Sequence, residues 1–232
     1  MVKKYISKFL FHPIAARLYV KPALKAHNFM YRLATKASTI VENNKHPKHD
    51  ILKYKEWFGQ HIGPDDVVLD IGSNSGSLPI FLSSVAQYVY GIEIVKELHQ
   101  ESLKRCKADN LKFILGDATS YNYSTIKSVS VVTLSNVLEH IEFRVEFLKK
   151  IVSSLEWQYE DNRRLLIRVP MLDRDWITIY KKNHGIEWRL DLTHYTEYTK
   201  DSFFQEMKQA NLLVVEFDIR FGELYAVCVV RE

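Results

Sequence analysis

Cysteine is scarce. Only Cys106 and Cys228 occur in 232 residues, too few for a disulfide framework, and no CxxC or Cys/His cluster offers a structural zinc site. The chain is therefore expected to be reduced and cytoplasmic. Long apolar runs are missing too, since none approaches the ~18 consecutive residues of a spanning helix. The opening MVKKYISKFLFHPIAARLYV is basic, yet charges and a proline break its apolar stretch and no small-residue cleavage site follows. It reads as retained rather than as a secretory signal.

Acid is absent before Glu42, whereas Lys3, Lys4, Lys8, Arg17, Lys21, Lys25, Arg32 and Lys36 all precede it. That opening carries +8, so the remainder carries −4 of the net +4. Interleaved with Tyr5, Ile6, Phe9, Leu10, Phe11, Leu18, Tyr19, Phe29 and Tyr31, the bases predict an amphipathic helical arm over residues 1–50. Such a segment suits an anionic membrane surface, or a lid folded over the domain, with a polyanion behind both.

From residue 51 to 232 the pattern is that of one domain. Apolar runs without alternation occur at Val67–Asp70, Tyr88–Glu93, Leu111–Gly116, Ser128–Leu134 and Arg164–Pro170. Helical patterns separate them at Ser77–Gln87, Val95–Asn110 (Leu98, Leu103 and Cys106 inward) and Ile141–Tyr159 (Phe143, Phe147, Leu148, Ile151 and Leu155 on one face). That alternation predicts an α/β fold, a doubly wound parallel sheet covered on both faces. After a helix at Thr199–Asn211, two strands joined at Phe221-Gly222 predict a closing hairpin with an antiparallel strand. Between the strand ending at Pro170 and that helix, residues 171–198 are dense in Trp, His, Arg and Asp and are expected to recognise substrate, since they follow a strand's C-terminal end.

The stretch VVLDIGSNSGSLPIFL ends a strand on Asp70 and turns through Gly72 and Gly76 into a helix. Small residues there admit a polar ligand close to the backbone. A dinucleotide loop would carry a third glycine, which is missing, and Asp70 would repel a pyrophosphate while attracting an ammonium or sulfonium. Glu93 closes the next strand, where a carboxylate accepts from both ribose hydroxyls. Asp117 follows the third, within reach of an exocyclic amino group. Three acids in order suit adenine, ribose and a cationic tail.

VLDIGSNSG, GIEI, GDA and LSNVLEHI together resemble the class I S-adenosylmethionine-dependent methyltransferases, over roughly Asp65 to Pro170. The resemblance implies a Rossmann-like, doubly wound, seven-stranded sheet with the last strand antiparallel. It also implies S-adenosylmethionine as cofactor, contacted by Asp70, Gly72, Ser73, Gly76, Glu93, Ile94, Asp117, Ala118, Asn136 and Val137. Ser73-Asn74-Ser75 departs from the family by replacing a further glycine.

For an oxygen acceptor a base is needed, and histidine suits it. His140 stands at the ligand edge of the fourth strand. His194 follows Asp191 by three residues, which on a helical turn lets the carboxylate orient the imidazole. His184 with Asp191 and His194 has no diagnostic metal spacing, and no metal is expected. Trp176, Trp188, Tyr195, Arg189 and Asp191 suit a polar ring, and EWRLDLTHYTEYT is similar to methyltransferases of surface-glycan biosynthesis. The expected function is therefore O-methylation of a glycan, lipid-linked sugar or other small polar acceptor, with peripheral membrane contact through the arm. No Asn/Asp-Pro-Pro-aromatic loop and no nucleic-acid module is present, so nucleic acid is not the expected partner. The alternatives are a non-catalytic partner subunit of the same fold, an RNA methyltransferase using the arm, and a nicotinamide-dependent oxidoreductase.

Overall fold

The computed structural model describes residues 11–43 and 45–231 in two compact units. The basic and apolar residues expected of the arm at Lys3, Lys4, Tyr5, Ile6, Lys8, Phe9 and Leu10 lie outside the described residues. The helices are α1 (Pro13–Val41), α2 (Pro47–Leu52), α3 (Tyr54–Gln60), α4 (Ser77–Leu82), α5 (Lys96–Arg105), α6 (Arg144–Ser154), α7 (Trp176–Asn183) and α8 (Lys200–Gln209).

The larger unit takes Lys53–Arg174 and the residues from Leu190 onward. Its strands are β1 (Val67–Ile71), β2 (Tyr88–Glu93), β3 (Leu111–Leu115), β4 (Val131–Ser135), β5 (Arg164–Pro170), β6 (Leu212–Arg220) and β7 (Glu223–Val230), in the order β3-β2-β1-β4-β5-β7-β6. β1 to β5 pair in parallel, and β7 alone runs against its neighbours. The Rossmann-like sheet read from the sequence is therefore the one observed, with its last strand antiparallel. A tight turn through Phe221 and Gly222, both at positive φ, joins β6 to β7, the backbone that matches strand twist in short hairpins.

Both faces of the sheet are covered. Leu69, Ile71, Val132, Leu134, Leu165 and Ile167 pack with Phe147, Leu148 and Ile151 of α6 and Phe203 and Met207 of α8. Val68, Val131 and Leu166, one residue out of phase with that set, pack with Trp57 and Phe58 of α3 and Leu78 and Leu82 of α4. Successive strand residues face opposite sides, so strands without polar alternation require these two cores.

Several helix limits and faces differ from the sequence reading. The helix expected to reach Gln87 stops at Leu82, because the Ser83 and Ser84 hydroxyls turn back onto the Ile80 and Phe81 carbonyls and compete with the helical ladder. On α5 it is Ser102 that is fully buried, while Leu103 is 51% exposed. A small side chain is needed there, since Ser102 Cβ lies 3.0 Å from where a Cβ on Gly76 would stand. Phe143 is exposed, because α6 starts at Arg144, three residues later than expected, and leaves Phe143 just before its first turn.

The smaller unit holds the described residues up to Leu52 together with Asp175–Arg189. The His12 imidazole caps α1, with Pro13 in its first turn, a position that suits a residue without an N–H. Asn28 Nδ2 donates to the Glu187 carbonyl at 2.7 Å, and Lys181 Nζ meets His27 Nδ1 at 3.1 Å. The stretch 171–198, expected to recognise substrate, contains α7, started by Asp175, whose carboxylate accepts from the Ile177 and Thr178 amides. No helix among the described residues is long and apolar enough to cross a membrane.

Candidate functional site

The sheet order reverses between β1 and β4, opening a crevice at their C-terminal ends where such sheets take ligands. β1 delivers Asp70 there, in register with Gly91 of β2 and Thr133 of β4. The register brings the Thr133 hydroxyl to Asp70 Oδ1 at 2.5 Å. Asp70 is 2% exposed, and burial pushes its carboxyl up to about 7, with Thr133 opposing and the Glu93 charge adding to the rise.

The loop after β1 is pinned on both sides. Gly72 and Ser73 amides donate to the Ile92 carbonyl at 2.9 Å. Glu93 Oε2 accepts from the Asn74 amide at 2.7 Å and Oε1 from Val95 at 2.8 Å. Each carboxylate oxygen keeps a second lone pair, which is what a diol requires. Gly72 has φ +74°, and a Cβ there would stand 2.6 Å from Val137 Cγ2. Ser73 Oγ is buried with no hydrogen-bond partner, a donor and acceptor waiting in the cradle. Gly116 donates to the Glu93 carbonyl and leads to Asp117, whose Oδ1 holds the Thr119 amide and hydroxyl. Ile94 is exposed, and the Ala118 carbonyl accepts from the Tyr123 hydroxyl. The expected cofactor residues thus line successive strand ends.

β4 leads into the other half. Asn136 has φ +57°, its amide bonds the Arg168 carbonyl, and its Oδ1 is buried without a partner. Glu139 is 1% exposed and burial pushes its carboxyl up to about 8, while its Oε2 has no hydrogen-bond partner. The Glu139 carbonyl accepts from the Tyr195 amide at 2.8 Å, which ties the Asp191–Tyr198 loop to the end of β4. His140 and His194 consequently meet edge to face, with ring centroids 4.7 Å apart. Partial desolvation of the ring and the neighbouring His194 hold the His140 imidazole below its ordinary value, which favours its neutral form.

The pairing expected of His194 is corrected by the structure. Its Nδ1 bonds Glu197 Oε1 at 3.0 Å, not Asp191. The Glu197 side chain is fully buried, bonded also to Arg174 and the Leu190 amide. Asp191 Oδ1 accepts instead from the Thr193 amide and hydroxyl, and Thr193 Oγ1 meets His140 Nδ1 at 2.9 Å. Asp191 therefore stands behind His140. A cleft of about 410 Å³ opens beside His140, lined by Thr119, Phe143, Lys150 and Tyr195 among others.

Sequence reasoning missed Tyr54, Gly91 and Arg168. The Arg168 guanidinium lies 4.5 Å over the Tyr54 ring and bonds Glu223 at 2.6 Å, with Nη2 unpartnered. Gly91 leaves room for Ser73 and Phe113, each 3.0 Å or less from where its Cβ would be. A glycine inside a strand is the signal that marks such close approach. Nothing local in the sequence marks Tyr54 or Arg168. Of the residues proposed for ring stacking, Trp176, Trp188 and Arg189 lie in the smaller unit, where Lys182 covers Trp188 and Glu187 pairs Arg189. His184 bonds the Tyr180 carbonyl in that unit.

Residues 27–216 match the family model of the methyltransferase domain. The chain belongs to this family. This methyltransferase-domain chain is 29% identical over 102 residues to the uncharacterized protein MJ1452 of Methanocaldococcus jannaschii, covering 43% of the chain. It is 27% identical over 101 residues, 40% of the chain, to a cobalt-precorrin-6B C(15)-methyltransferase (decarboxylating) of Methanococcus maripaludis, so named as probable. The matches span only 39% and 55% of those two relatives. Among solved structures, the DhpI–S-adenosylhomocysteine complex shares its fold at TM-score 0.62 and 15% identity, over 90% of this chain and 97% of that one. A chain of the complex between the Haloferax volcanii Trm112 methyltransferase activator and a methyltransferase does so at 0.63 and 16%, over 84% and 97%.

Proposed function

We propose that this chain is an S-adenosylmethionine-dependent methyltransferase acting on an oxygen of a small polar acceptor such as a sugar. One observation carries the reading: Glu93 and Asp70 close neighbouring strands around a loop whose Gly72 leaves no space for a side chain. The donor set fits the cofactor. Glu93 suits the ribose hydroxyls, Asp117 the adenine amino group, Asp70 the methionine ammonium and Ser73 Oγ a further polar atom. Bound there, S-adenosylmethionine supplies a methyl group on a sulfonium, open to in-line displacement by a nucleophile.

The chain's own part is alignment and proton handling. Holding an acceptor near attack distance is worth ~7–11 kcal/mol of the barrier, and a positioned base adds roughly 10²–10⁴-fold. His140, neutral and backed through Thr193 by Asp191, faces the cleft and can take the hydroxyl proton. His194 stands behind it. Phe143 and Tyr195 offer ring faces beside Lys150 and Glu146, a lining that suits a polar ring.

The arm is proposed to meet an anionic membrane. At helical spacing Ile14, Leu18, Phe29, Leu33 and Ile40, all exposed, share one arc of α1, and Arg17, Lys21, Lys25, Arg32 and Lys36 border and partly overlap it on one side. Co-sedimentation with phosphatidylserine vesicles, absent with phosphatidylcholine alone, would bear this out. A second reading, docking of an activator protein, is favoured by the likeness to a chain of the Trm112 complex and by edge strand β6, which exposes Leu213, Val215, Phe217 and Ile219.

Titration calorimetry with S-adenosylhomocysteine tests the central reading. Micromolar binding is expected, weakened about 10- to 100-fold in Glu93→Gln, the loss of one or two charge-assisted hydrogen bonds. A folded wild-type chain that binds none overturns it.

A further inference from the structure

We propose that Glu139, His140 and His194 form a binding site for one divalent transition-metal ion. Their ligand atoms all lie within 4.8 Å of one another. Ligands ~2.1 Å from one ion are ~3–4 Å apart, so a small rotation of His140, the exposed member, closes the set.

The hydrogen bonds around the cluster assign its lone pairs. The Thr193 hydroxyl donates to Asp191 at 2.8 Å, so towards His140 Nδ1 at 2.9 Å it has only a lone pair to offer. His140 Nδ1 therefore carries the proton, and Nε2 carries the lone pair. His194 Nδ1 donates to the buried Glu197 carboxylate at 3.0 Å, which leaves its Nε2 as the acceptor nitrogen too. Each imidazole thus has a hydroxyl or carboxylate behind it fixing the tautomer that ligates, the arrangement found around metal-bound histidines.

The second observation is independent of these bonds. Glu139 Oε2 is buried without any hydrogen-bond partner, on a side chain 1% exposed and grouped with the two imidazoles. A structural cluster of polar side chains satisfies such an oxygen; an ion site leaves it for the ion. The main-chain bond from Tyr195 to Glu139 holds the two contributing segments together without using any ligand atom.

Two imidazoles and one carboxylate favour Mn²⁺, Fe²⁺, Co²⁺ or Zn²⁺ over Mg²⁺ and Ca²⁺, which prefer oxygen. Three protein ligands leave coordination positions open, and His140 lines the 410 Å³ cleft. The role rests on the methyltransferase reading and refines it: the ion, not an imidazole, would hold and activate the acceptor hydroxyl. The hydroxyl proton passes to water and its oxygen bonds the methyl carbon. The carbon–sulfur bond breaks, and its electron pair neutralises the sulfonium.

The test is calorimetry of chelator-stripped, untagged chain with MnCl₂ and ZnCl₂, alongside the electron paramagnetic resonance of bound Mn²⁺. One ion per chain is expected, with affinity at least ~10-fold weaker in His140→Ala and in Glu139→Gln. His140 is exposed, so its variant keeps the fold, as circular dichroism would verify. Absence of binding, or binding unchanged in both variants, overturns the site. Titration with S-adenosylhomocysteine is read separately, so failure of the metal site and failure of the cofactor reading give different results.

Discussion

Replacing Asp70 by Asn should stabilise the ligand-free chain while removing its cofactor affinity. The carboxyl is 2% exposed, and burial lifts it from 3.8 to about 7. The unfolded chain releases this proton near pH 4, whereas the folded chain holds it to about pH 7. The folded state therefore binds more protons between those values, and stability falls as pH rises through that window. At ~1.4 kcal/mol per unit, the penalty is about 1.7 kcal/mol at pH 5 and about 4 kcal/mol at pH 8. Urea denaturation of wild type and Asp70→Asn, compared pairwise at pH 4, 5, 6, 7 and 8, reads this term alone, because the other groups cancel in the difference. The variant's advantage should start below ~1 kcal/mol, grow with pH and level off above 7. S-adenosylhomocysteine at 100 times its dissociation constant should then add ~2.7 kcal/mol to wild type and almost nothing to the variant. A pH-independent difference would refute the reasoning, for it would mean that Thr133 and the surrounding fold already hold an ionised carboxylate without a cationic ligand.

Two further substitutions test the frame around the site. Gly72→Ala places a Cβ 2.6 Å from Val137 Cγ2 on a backbone with φ +74°, and should cost about 1–3 kcal/mol in urea denaturation and at least ~10-fold in S-adenosylhomocysteine affinity. Adding Val137→Ala should recover the steric share of that loss but not the dihedral share. Arg168→Met removes the ion-pair partner of buried Glu223, to which the Tyr225 hydroxyl also donates, and should destabilise by about 3–5 kcal/mol, whereas Arg168→Met with Glu223→Leu should restore most of it; thermal denaturation of both variants checks this.

The sheet was legible because its strands are buried on both faces and its acids fall where strands end. The closing hairpin was legible from Phe221-Gly222, a two-residue turn signal between two apolar runs. The histidine partners were not. His194 has Asp191 three residues before it and Glu197 three after, and spacing alone treats the two alike. What separates them is Arg174 and the Leu190 amide, which make a buried place for the Glu197 carboxylate, while Thr193 takes Asp191. Glu139, His140 and His194 were equally hidden as a set, since the contact joining them is a main-chain hydrogen bond from Tyr195 that no side-chain pattern records. Leu103 and Phe143 misled for a smaller reason. Apolar character assigned Leu103 to the inward side of α5, where Ser102 packs beside Gly76 instead, and a pattern that runs past a helix end gave a face to Phe143, which stands just before α6.

The two amides held by Glu93 have a consequence for speed. The carboxylate already grips the loop on one side and the start of α5 on the other, so the conformational entropy of ordering them is spent during folding rather than at encounter. A nucleoside arriving at this edge finds a rigid receptor. Its association should be a single step whose observed rate rises linearly with ligand concentration and shows no plateau from a slow loop rearrangement.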